Sequence, residues 1–379
     1  MTKIAILGGG NGAFTYAGDL ALAGHKVNLC ELPRFKANLN PVTEAGGIEM
    51  AGAARNGFAK LNLVTPDIGE AVKGAEIIMV VMPAYGHVSA AEALAPHVED
   101  GQMIILFPGY SFGSVEFSHK MTEKGVDMNK VMLGSTCILS YATRKYSGSK
   151  VFCGAVKAKV PFSAFPAKNT SKMLSTLNKV FIQADGERGI LIDCVNDIKL
   201  ALVNGNLWVH PPMMILKAID VELGEEPYLK SADSNARKLL SKKMNDESVA
   251  IQSAFGMEPW NHEYVESVMM YPYWLKRPLA GDKPAWASEE NKPAEYRAGG
   301  GFNFLKGRYV VEDLPYGLVT ISELGKLVKV PTPAIDSVVS IGSIISETDY
   351  WKTGRTLKRL GLDGMTKEQL VKYMNTGVK

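Results

Sequence analysis

The chain has 379 residues, of which 46% are hydrophobic and 21% are charged, a balance typical of a soluble globular protein of two domains. The net charge is only +3 and the basic residues are interleaved with acids, so no nucleic-acid surface is expected. The longest apolar run, Ile77 to Ala84, is far shorter than the ~20 residues of a membrane span. The N-terminal run ends at three glycines, unlike a signal peptide, and the four cysteines form no C-x-x-C pair. These features predict a cytoplasmic protein with free thiols and no metal site.

Short apolar runs of strand length alternate with amphipathic stretches in the first half of the chain. Strands that are apolar throughout are typical of a sheet buried on both faces, and helices between them make the crossovers of a parallel sheet. The pattern predicts a doubly wound α/β domain, a Rossmann domain, over residues 1–188. The predicted strands are Lys3–Leu7, Lys26–Glu31, Glu76–Met82, Met103–Phe107, Val131–Leu133 and Val151–Val160, and the predicted helices are Ala13–Ala23, Ser89–Val98 and Ser171–Phe181.

Helical periodicity dominates after Gly189, which predicts an all-α domain over residues 189–379. Ile190–Val209 predicts one long helix that ends before Pro211, because a residue preceding proline disfavours the helical conformation. Residues 272–301 are rich in proline, glycine and aromatic residues and predict a long loop. Helix starts are indicated by capping-box patterns at Thr320–Glu323 and Thr366–Gln369 and by Thr332 before Pro333.

Residues 8–13 fit the dinucleotide pattern G-x-G-x-x-A between a predicted strand and a predicted helix. Gly8 permits the tight turn, Gly10 lets the backbone approach a pyrophosphate, and Ala13 allows close packing of helix on strand. Asn11 and Gly12 lie at the helix N-terminus, whose N–H groups attract phosphate. The context favours a nicotinamide cofactor, although a flavin site or an unrelated glycine turn can share the fingerprint.

The second predicted strand ends in Glu31, 18 residues after Ala13 (31 − 13), close to the usual spacing of about 20. A carboxylate there accepts hydrogen bonds from the adenosine ribose and repels a 2′-phosphate, which favours NAD. Arg34 follows three residues later and could pair with that phosphate, so NADP stays open.

Two loops follow predicted strands at the edge where open parallel sheets bind ligands. The first carries Pro83 and His87, and the second carries Pro108 before Gly109. Proline fixes such a loop, and glycine lets its backbone come close to a nicotinamide ring. Pro83, His87 and Pro108 are therefore predicted cofactor contacts.

Hydride transfer to a C=O or C=N bond needs a proton donor near neutral pH, and histidine is the usual one. His210 is favoured, because it would end the first helix of the second domain, where the helix dipole stabilises an imidazolium. The other histidines are expected to be exposed or to have structural or binding roles: His25, His87, His97, His119 and His262.

Five stretches make the chain resemble the octopine/nopaline-type opine dehydrogenases over nearly its whole length. The resemblance implies reduction, with NADH or NADPH, of the imine formed from a 2-keto acid such as pyruvate and an amino acid's amine. It also implies a helical second domain of the 6-phosphogluconate-dehydrogenase-like type. The five stretches are residues 8–13 with Asn11; Pro108-Gly109; Ser135-Thr136 with residues 139–144; Asn204-x-Asn206-x-x-x-His210-Pro211-Pro212; and residues 308–318. The last two are specific to the family, whereas the glycine fingerprint is not.

The resemblance also implies roles for single residues. His210 matches the family's catalytic histidine and Asp313 its acidic partner, which would hold one imidazole nitrogen and raise the basicity of the other. Arg308 would clamp a substrate carboxylate, or else form a salt bridge to a nearby acid. Further substrate contacts are expected at Thr136, Arg144 and Asn206, and Ser135 stands where the family pattern has an acid.

Two alternatives stay open. A keto-acid or polyol-phosphate dehydrogenase could share the two-domain plan, although Lys199 lies outside any matching lysine motif. A dinucleotide sensor without activity would have no need of a histidine paired with an acid. The C-terminal apolar helices could form either a homodimer interface or a closed core, and the amino-acid co-substrate is not specified.

Overall fold

The computed structural model describes residues 1–157, 159–181, 190–223, 234–261, 263–264, 283–288 and 306–379. The described residues form two compact units. The first lies within Met1–Gly109, Gly113–Asp193 and Val268–Pro293, and the second within Tyr110–Phe112, Cys194–Ser267 and Ala294–Lys379. The predicted boundary after residue 188 falls in a segment outside the described residues, as does most of the predicted 272–301 loop. The boundary therefore stays a prediction.

The first unit holds the strands. Their bounds are β1 Lys3–Leu7, β2 Lys26–Cys30, β3 Ile48–Gly52, β4 Gly57–Ala59, β5 Leu63–Thr65, β6 Ile77–Val80, β7 Met103–Leu106, β8 Met132–Thr136, β9 Tyr141–Lys145, β10 Lys150–Val156, β11 Val160–Ala164 and β12 Leu191–Asp193. Eight of them form one sheet in the order β12-β11-β8-β7-β6-β1-β2-β5. Neighbours from β5 to β8 are parallel, whereas β11 runs antiparallel to β8. The predicted doubly wound sheet is confirmed, with an antiparallel addition at one end.

Helices cover this sheet. They are α1 Asn11–Leu22, α2 Asn40–Ala45, α3 Ile68–Val72, α4 His87–Leu94, α5 Gly113–Glu123 and α6 Thr170–Val180, with 3₁₀ turns at Pro33–Leu39, Ala84–Gly86, Ala95–His97 and Ala167–Asn169. Alternate residues of the central strands, such as Ile78 and Val80, pack with Leu94 of α4 and Phe117 of α5 in one buried cluster. This period of two is what a strand with two covered faces requires. The strand order reverses between β1 and β6, and ligands bind at such a switch point in open α/β sheets.

A second sheet, in the order β4-β3-β10-β9, was not expected. The predicted strand Val151–Val160 is wrong as a single element, because β10 ends at Val156 and β11 begins at Val160 in the other sheet. In this sheet β3, β4 and β9 are only partly buried and lack continuous apolar runs, whereas β10 lies in the apolar run that predicted a strand over Val151–Val160.

The described part of the second unit is helical. Its elements are α7 Asp197–Leu202, α8 Asn206–Leu216, α9 Ala218–Glu222, α10 Asn235–Ala254, α11 Arg308–Val311, a π-helical turn Leu314–Leu318, α12 Val319–Leu327, α13 Pro333–Ile345, α14 Tyr350–Thr353 and α15 Lys367–Thr376. The Thr366 capping box before α15 is confirmed. The Thr320 box is wrong, since Thr320 lies inside α12 and its hydroxyl donates to the Arg355 carbonyl at 2.7 Å.

The single predicted helix Ile190–Val209 is also wrong. It is divided into β12, α7 and the start of α8. The Asn196 side chain accepts hydrogen bonds from Ile198 N and Lys199 N and so begins α7, and Asn204 Oδ1 accepts from Asn206 N at 3.1 Å before α8. Asparagine side chains compete with the helix for backbone N–H groups, which explains both interruptions.

Candidate active site

The glycine turn lies at the switch point of the large sheet. Gly8 has φ +143°, and a Cβ there would collide with the Val81 carbonyl that follows β6. A Cβ at Gly9 would lie 2.8 Å from Glu31 Oε2, a constraint that the sequence pattern did not single out. A Cβ at Gly10, by contrast, would meet no atom of the described chain within 4 Å. Protein atoms therefore crowd Gly8 and Gly9, whereas the space beside Gly10 is open. This arrangement fits a pyrophosphate that lies against the backbone at Gly10.

The first turn of α1 follows directly. Gly10 is the N-cap, Gly12 and Ala13 are buried, and the N–H groups of the first turn have no partner within the helix. The Asn11 side-chain oxygen accepts a hydrogen bond from Lys145 N at 2.8 Å, which ties the helix start to β9. Asn11 thus has a structural partner of its own beside its predicted cofactor role.

Glu31 follows β2 and lies beneath the glycine turn. Its Oε1 accepts from Leu32 N at 2.7 Å, and Oε2 lies 3.3 Å from Asn38 Nδ2. Burial raises the pKa of this carboxyl, and the hydrogen bonds from Leu32 and Asn38 partly oppose that shift. A carboxylate held in this way has its oxygens fixed close to the turn that would carry the dinucleotide.

Arg34 is exposed on the 3₁₀ turn after Glu31. Its Nη2 lies 3.4 Å from Ser89 Oγ and its guanidinium lies 4.7 Å above the Phe35 ring. This exposed cation lies near Glu31, the carboxylate predicted to hold the adenosine ribose.

The two predicted loops lie at the carboxyl ends of β6 and β7. Pro83 precedes the turn Ala84–Gly86, and His87 begins α4 with its ring buried inside the unit. After Pro108, Gly109 N donates to the Thr136 carbonyl at 2.8 Å. A Cβ at Gly109 would collide with Ser135, so this glycine is needed for close packing on β8. The contact also leaves little room for an acid in place of Ser135.

His210 and Asp313 lie together in the second unit, although 103 positions separate them. His210 Nδ1 is 2.9 Å from Asp313 Oδ2. The Asp313 side chain is fully buried, whereas the His210 ring is 17% exposed, so one edge of the imidazole reaches the surface of the unit. A buried carboxylate on one ring nitrogen leaves the other free for proton transfer.

The predicted position of His210 at a helix end is wrong. α8 continues to Leu216 through Pro211 and Pro212, so His210 lies in its middle and the helix dipole does not act on it as expected. The preference of a residue before proline is a tendency that packing overrides, since α8 packs along both α10 and α13.

Close packing of two helical segments explains how the pair forms. A Cβ at Gly317 would collide with the Leu207 side chain, so only glycine lets α8 lie this close to the π-helical turn. His210 is one turn beyond Leu207, and Asp313 is about one turn before Gly317. Turns of π-helix occur frequently at functional sites.

Two aromatic residues that the sequence reasoning missed contact the pair. The Tyr309 ring packs on His210, with centroids 4.2 Å apart. The Tyr110 hydroxyl donates to Asp313 Oδ1 at 2.6 Å. Tyr309 stands four residues before Asp313, a helical spacing that could have indicated it. Tyr110 carries no local signal, because its bond spans 203 positions.

The salt bridge that was one of the two roles left open for Arg308 is present. The Arg308 Nε lies 3.1 Å from Oε2 of the buried Glu312, and the arginine side chain is 43% exposed. A salt bridge along one edge holds the guanidinium in place. The role of Arg308 as a clamp for a substrate carboxylate stays a prediction. Glu312 was not predicted.

Asn206 lies one turn before His210 on α8, so both side chains share a face of the helix. Thr136 and Arg144 belong to the first unit, and they stand on different sheets. The Thr136 hydroxyl is buried and donates to the Ile138 carbonyl at 2.8 Å, and Arg144 lies on β9 with Nη1 bonded to its neighbour Thr143 O. The structure does not bring these two together.

Other kinds of site find no support in the described residues. They contain no group of three or more histidines, cysteines and acids arranged to hold a metal ion. None of their helices combines the length and apolar character that crossing a membrane requires. The four cysteines are free and buried. Lys199 is buried on α7, where Nζ donates to the Glu258 carbonyl at 2.6 Å and lies 4.3 Å above the Trp260 ring.

A doubly wound dinucleotide sheet in one unit and a histidine–carboxylate pair in a helical unit define a nicotinamide-dependent oxidoreductase. The family model of the α-helical domain of NAD/NADP octopine/nopaline dehydrogenases matches residues 194–346. The chain is 34% identical to an opine dehydrogenase of Arthrobacter sp. (strain 1C) over 366 residues, 96% of each chain. It therefore belongs to the opine dehydrogenase family, whose members use NAD or NADP and act on CH–NH groups.

Solved structures share the fold. An octopine dehydrogenase with NADH and pyruvate matches with a TM-score of 0.71 at 18% identity, covering 100% of this chain and 99% of the other. A yersinopine dehydrogenase with NADP⁺ matches with a TM-score of 0.67 at 15% identity, covering 99% and 98%.

Proposed function

We propose that this chain is an opine dehydrogenase that joins a 2-keto acid, pyruvate by preference, to the amine of an amino acid and reduces the resulting imine. The observation that carries the proposal is the 2.9 Å pair of His210 and Asp313 in a chain of this family. Pyruvate is favoured because the matching octopine dehydrogenase structure holds it with NADH.

The chain's own groups account for the proton transfers. Asp313 accepts from the Nδ1–H of His210, which leaves Nε2 to take and give a proton. Nε2 takes a proton from the ammonium of the amino acid, which frees the amine to attack the keto carbon, and returns it to the hydroxyl of the carbinolamine, which leaves as water. The bound nicotinamide supplies the hydride. Since an iminium carbon is already electron-poor, positioning of the reactants matters more than further polarisation.

Binding of the cofactor is assigned to the first unit. The turn Gly8–Ala13 with Asn11 would hold the pyrophosphate and Glu31 the adenosine ribose. The loops of Pro83 and Pro108 would lie toward the nicotinamide half, with the buried His87 packed behind the first of them. NAD is the favoured cofactor because Glu31 would repel a 2′-phosphate. NADP is the alternative, in which Arg34 would pair with that phosphate. A cytoplasmic location and a homodimer stay predictions.

Replacing Glu31 with glutamine is expected to weaken NADH binding about tenfold or more, because a hydrogen bond to a charged group contributes roughly 1.5–3 kcal/mol. The NADPH to NADH ratio of kcat/KM should rise, since the charge that repels a 2′-phosphate is gone. Fluorescence titration with each cofactor measures this, with exposed Glu44→Gln as the control. Unchanged NADH affinity in Glu31→Gln would remove Glu31 from the cofactor site.

Replacing Arg308 with lysine keeps the positive charge but loses the planar fork that binds a carboxylate through two hydrogen bonds. We expect the KM for the keto acid to rise about tenfold or more, with the Kd for NADH unchanged. Lys306→Arg, an exposed change two residues away, is the control. If Arg308→Lys alters kcat and leaves both substrate KM values as they were, Arg308 does not bind the carboxylate.

The function itself is tested by NADH oxidation with pyruvate, with and without a panel of amino acids. The proposal expects turnover only when keto acid and a suitable amino acid are both present. Equal turnover with pyruvate alone would favour the keto-acid dehydrogenase, and tight NADH binding without turnover on any pair would favour the sensor.

A further inference from the structure

The carboxylate of Asp313 is bound at both oxygens. Oδ2 lies 2.9 Å from His210 Nδ1, and Oδ1 accepts the Tyr110 hydroxyl at 2.6 Å. Tyr110 and Asp313 are both buried. The three residues therefore form a chain of hydrogen bonds within the second unit, with the imidazole at its exposed end.

The segment Tyr110–Phe112 is held firmly in place. Tyr110 and Phe112 have φ values of 53° and 59°, a left-handed conformation that side chains other than glycine adopt only when their surroundings impose it. Ser111 N donates to the Tyr316 carbonyl at 3.2 Å, three residues after Asp313. The segment is thus bonded to the same helical turn that carries the aspartate.

A buried arginine completes the attachment. Arg355 Nη1 donates to the Ser111 carbonyl at 2.9 Å, and its own N donates to the Pro315 carbonyl at 2.7 Å. Its guanidinium lies 4.9 Å from the centre of the Tyr316 ring. Because the segment and the turn are bonded to each other and to this arginine, the Tyr110 hydroxyl has one well-defined place beside Asp313.

We propose that Tyr110 is a positioning residue of the reaction: its hydroxyl fixes Oδ1 of Asp313, which aims Oδ2 at His210 Nδ1 and withdraws part of the carboxylate's charge. The inference rests on the proposed function of His210. Burial and the neighbouring Asp313 raise the pKa of Tyr110 well above its ordinary value. The phenol therefore keeps its proton and remains a hydrogen-bond donor over the whole pH range in which the enzyme is assayed.

The other ionisable groups at this place are few among the residues described. Glu312 and Arg308 lie beside Tyr110, and Tyr309 packs on the His210 ring. Arg355 bonds the neighbouring Ser111. Tyr110→Phe leaves each of these side chains in place and removes only the hydroxyl that donates to Asp313, so a shift in the pH dependence reports on that bond.

The test is Tyr110→Phe, which removes one oxygen and keeps the ring. Without the donor, Asp313 holds more charge and stabilises the imidazolium, so the acid limb of the kcat/KM profile should move to higher pH by about half a unit. The value of kcat should fall about fivefold, the usual weight of one hydrogen bond. The Kd for NADH should not change.

Tyr141→Phe is the matched control, since the buried Tyr141 also donates to a carboxylate, Asp19 Oδ2, at 2.8 Å, but in the first unit. Tyr141→Phe should lower the melting temperature about as much as Tyr110→Phe does. It should leave the acid limb of the kcat/KM profile at the wild-type pH. A limb that stays at the wild-type pH in Tyr110→Phe, or moves equally in both variants, overturns the proposal.

An NMR titration of the His210 ring separates this inference from the proposed function, because it needs no turnover. The ring should titrate at higher pH in Tyr110→Phe than in the wild type. Difluorotyrosine at position 110 keeps the hydroxyl and makes it a stronger donor. It should therefore move the midpoint of the His210 titration to lower pH. If the wild type turns over no keto acid and amino acid, the proposed function fails while this titration still decides the role of Tyr110. Identical midpoints in all three proteins reject that role.

Discussion

Replacing His210 with alanine is expected to lower kcat by about 10²–10⁴-fold, the usual weight of a general acid–base group. The ring is the one partly exposed member of its hydrogen-bonded pair, and Asp313 leaves its second nitrogen free to move a proton. The residues proposed to bind NADH belong to the other unit, so the Kd for NADH should stay within about twofold of the wild type.

Steady-state kinetics and a fluorescence titration measure the two quantities on the same preparation. The exposed His97 provides the control, and His97→Ala should retain full activity. A His210→Ala enzyme with more than a tenth of wild-type kcat would show that another group moves the proton.

Replacing Asp313 with asparagine is expected to be almost as damaging, with a loss in kcat of up to about 10⁴, the effect this change has on the aspartate of a serine-protease triad. An amide can donate to Nδ1, which favours the tautomer whose Nε2 carries the proton and cannot accept one. The amide also cannot stabilise an imidazolium. The change keeps the volume of the side chain, so the fold should survive.

Asp336→Asn is the matched control in the same unit, because Asp336 Oδ1 accepts two hydroxyl hydrogen bonds, from Ser322 and Thr332, at 2.7 and 2.9 Å. It should lower the melting temperature and leave kcat unchanged. If the loss of kcat in Asp313→Asn and Asp336→Asn follows only the drop in melting temperature of each variant, Asp313 has only a structural role.

The first unit could be predicted well because its signals are local. Central strands such as Lys3–Leu7 and Met103–Leu106 are continuous apolar runs, and the glycine turn follows the first of them directly. Burial on both faces imposes that composition wherever the strand lies in the sheet. In the small second sheet only β10 lies in such a run, whereas β3, β4 and β9 are partly exposed and left no comparable pattern.

The second unit was predicted less well, because its decisive contacts are not local. The asparagines at 196 and 204 break the expected long helix through side-chain bonds to the backbone, and Pro211 continues a helix it was expected to stop. The pairing of His210 with Asp313 followed from the family resemblance. Neither Tyr110 nor the close approach of Leu207 to Gly317 has a signature in the sequence, because each depends on how distant segments pack.

The most direct test of the account is to follow the hydride itself. The enzyme is incubated with NADH deuterated at the transferring position of C4, pyruvate and the best amino acid of the panel, and the products are analysed by mass spectrometry and NMR. The account predicts one deuterium on the former keto carbon of pyruvate, in a product where that carbon is bonded to the nitrogen of the amino acid. Deuterium found in lactate, with the amino acid recovered unchanged, would contradict it.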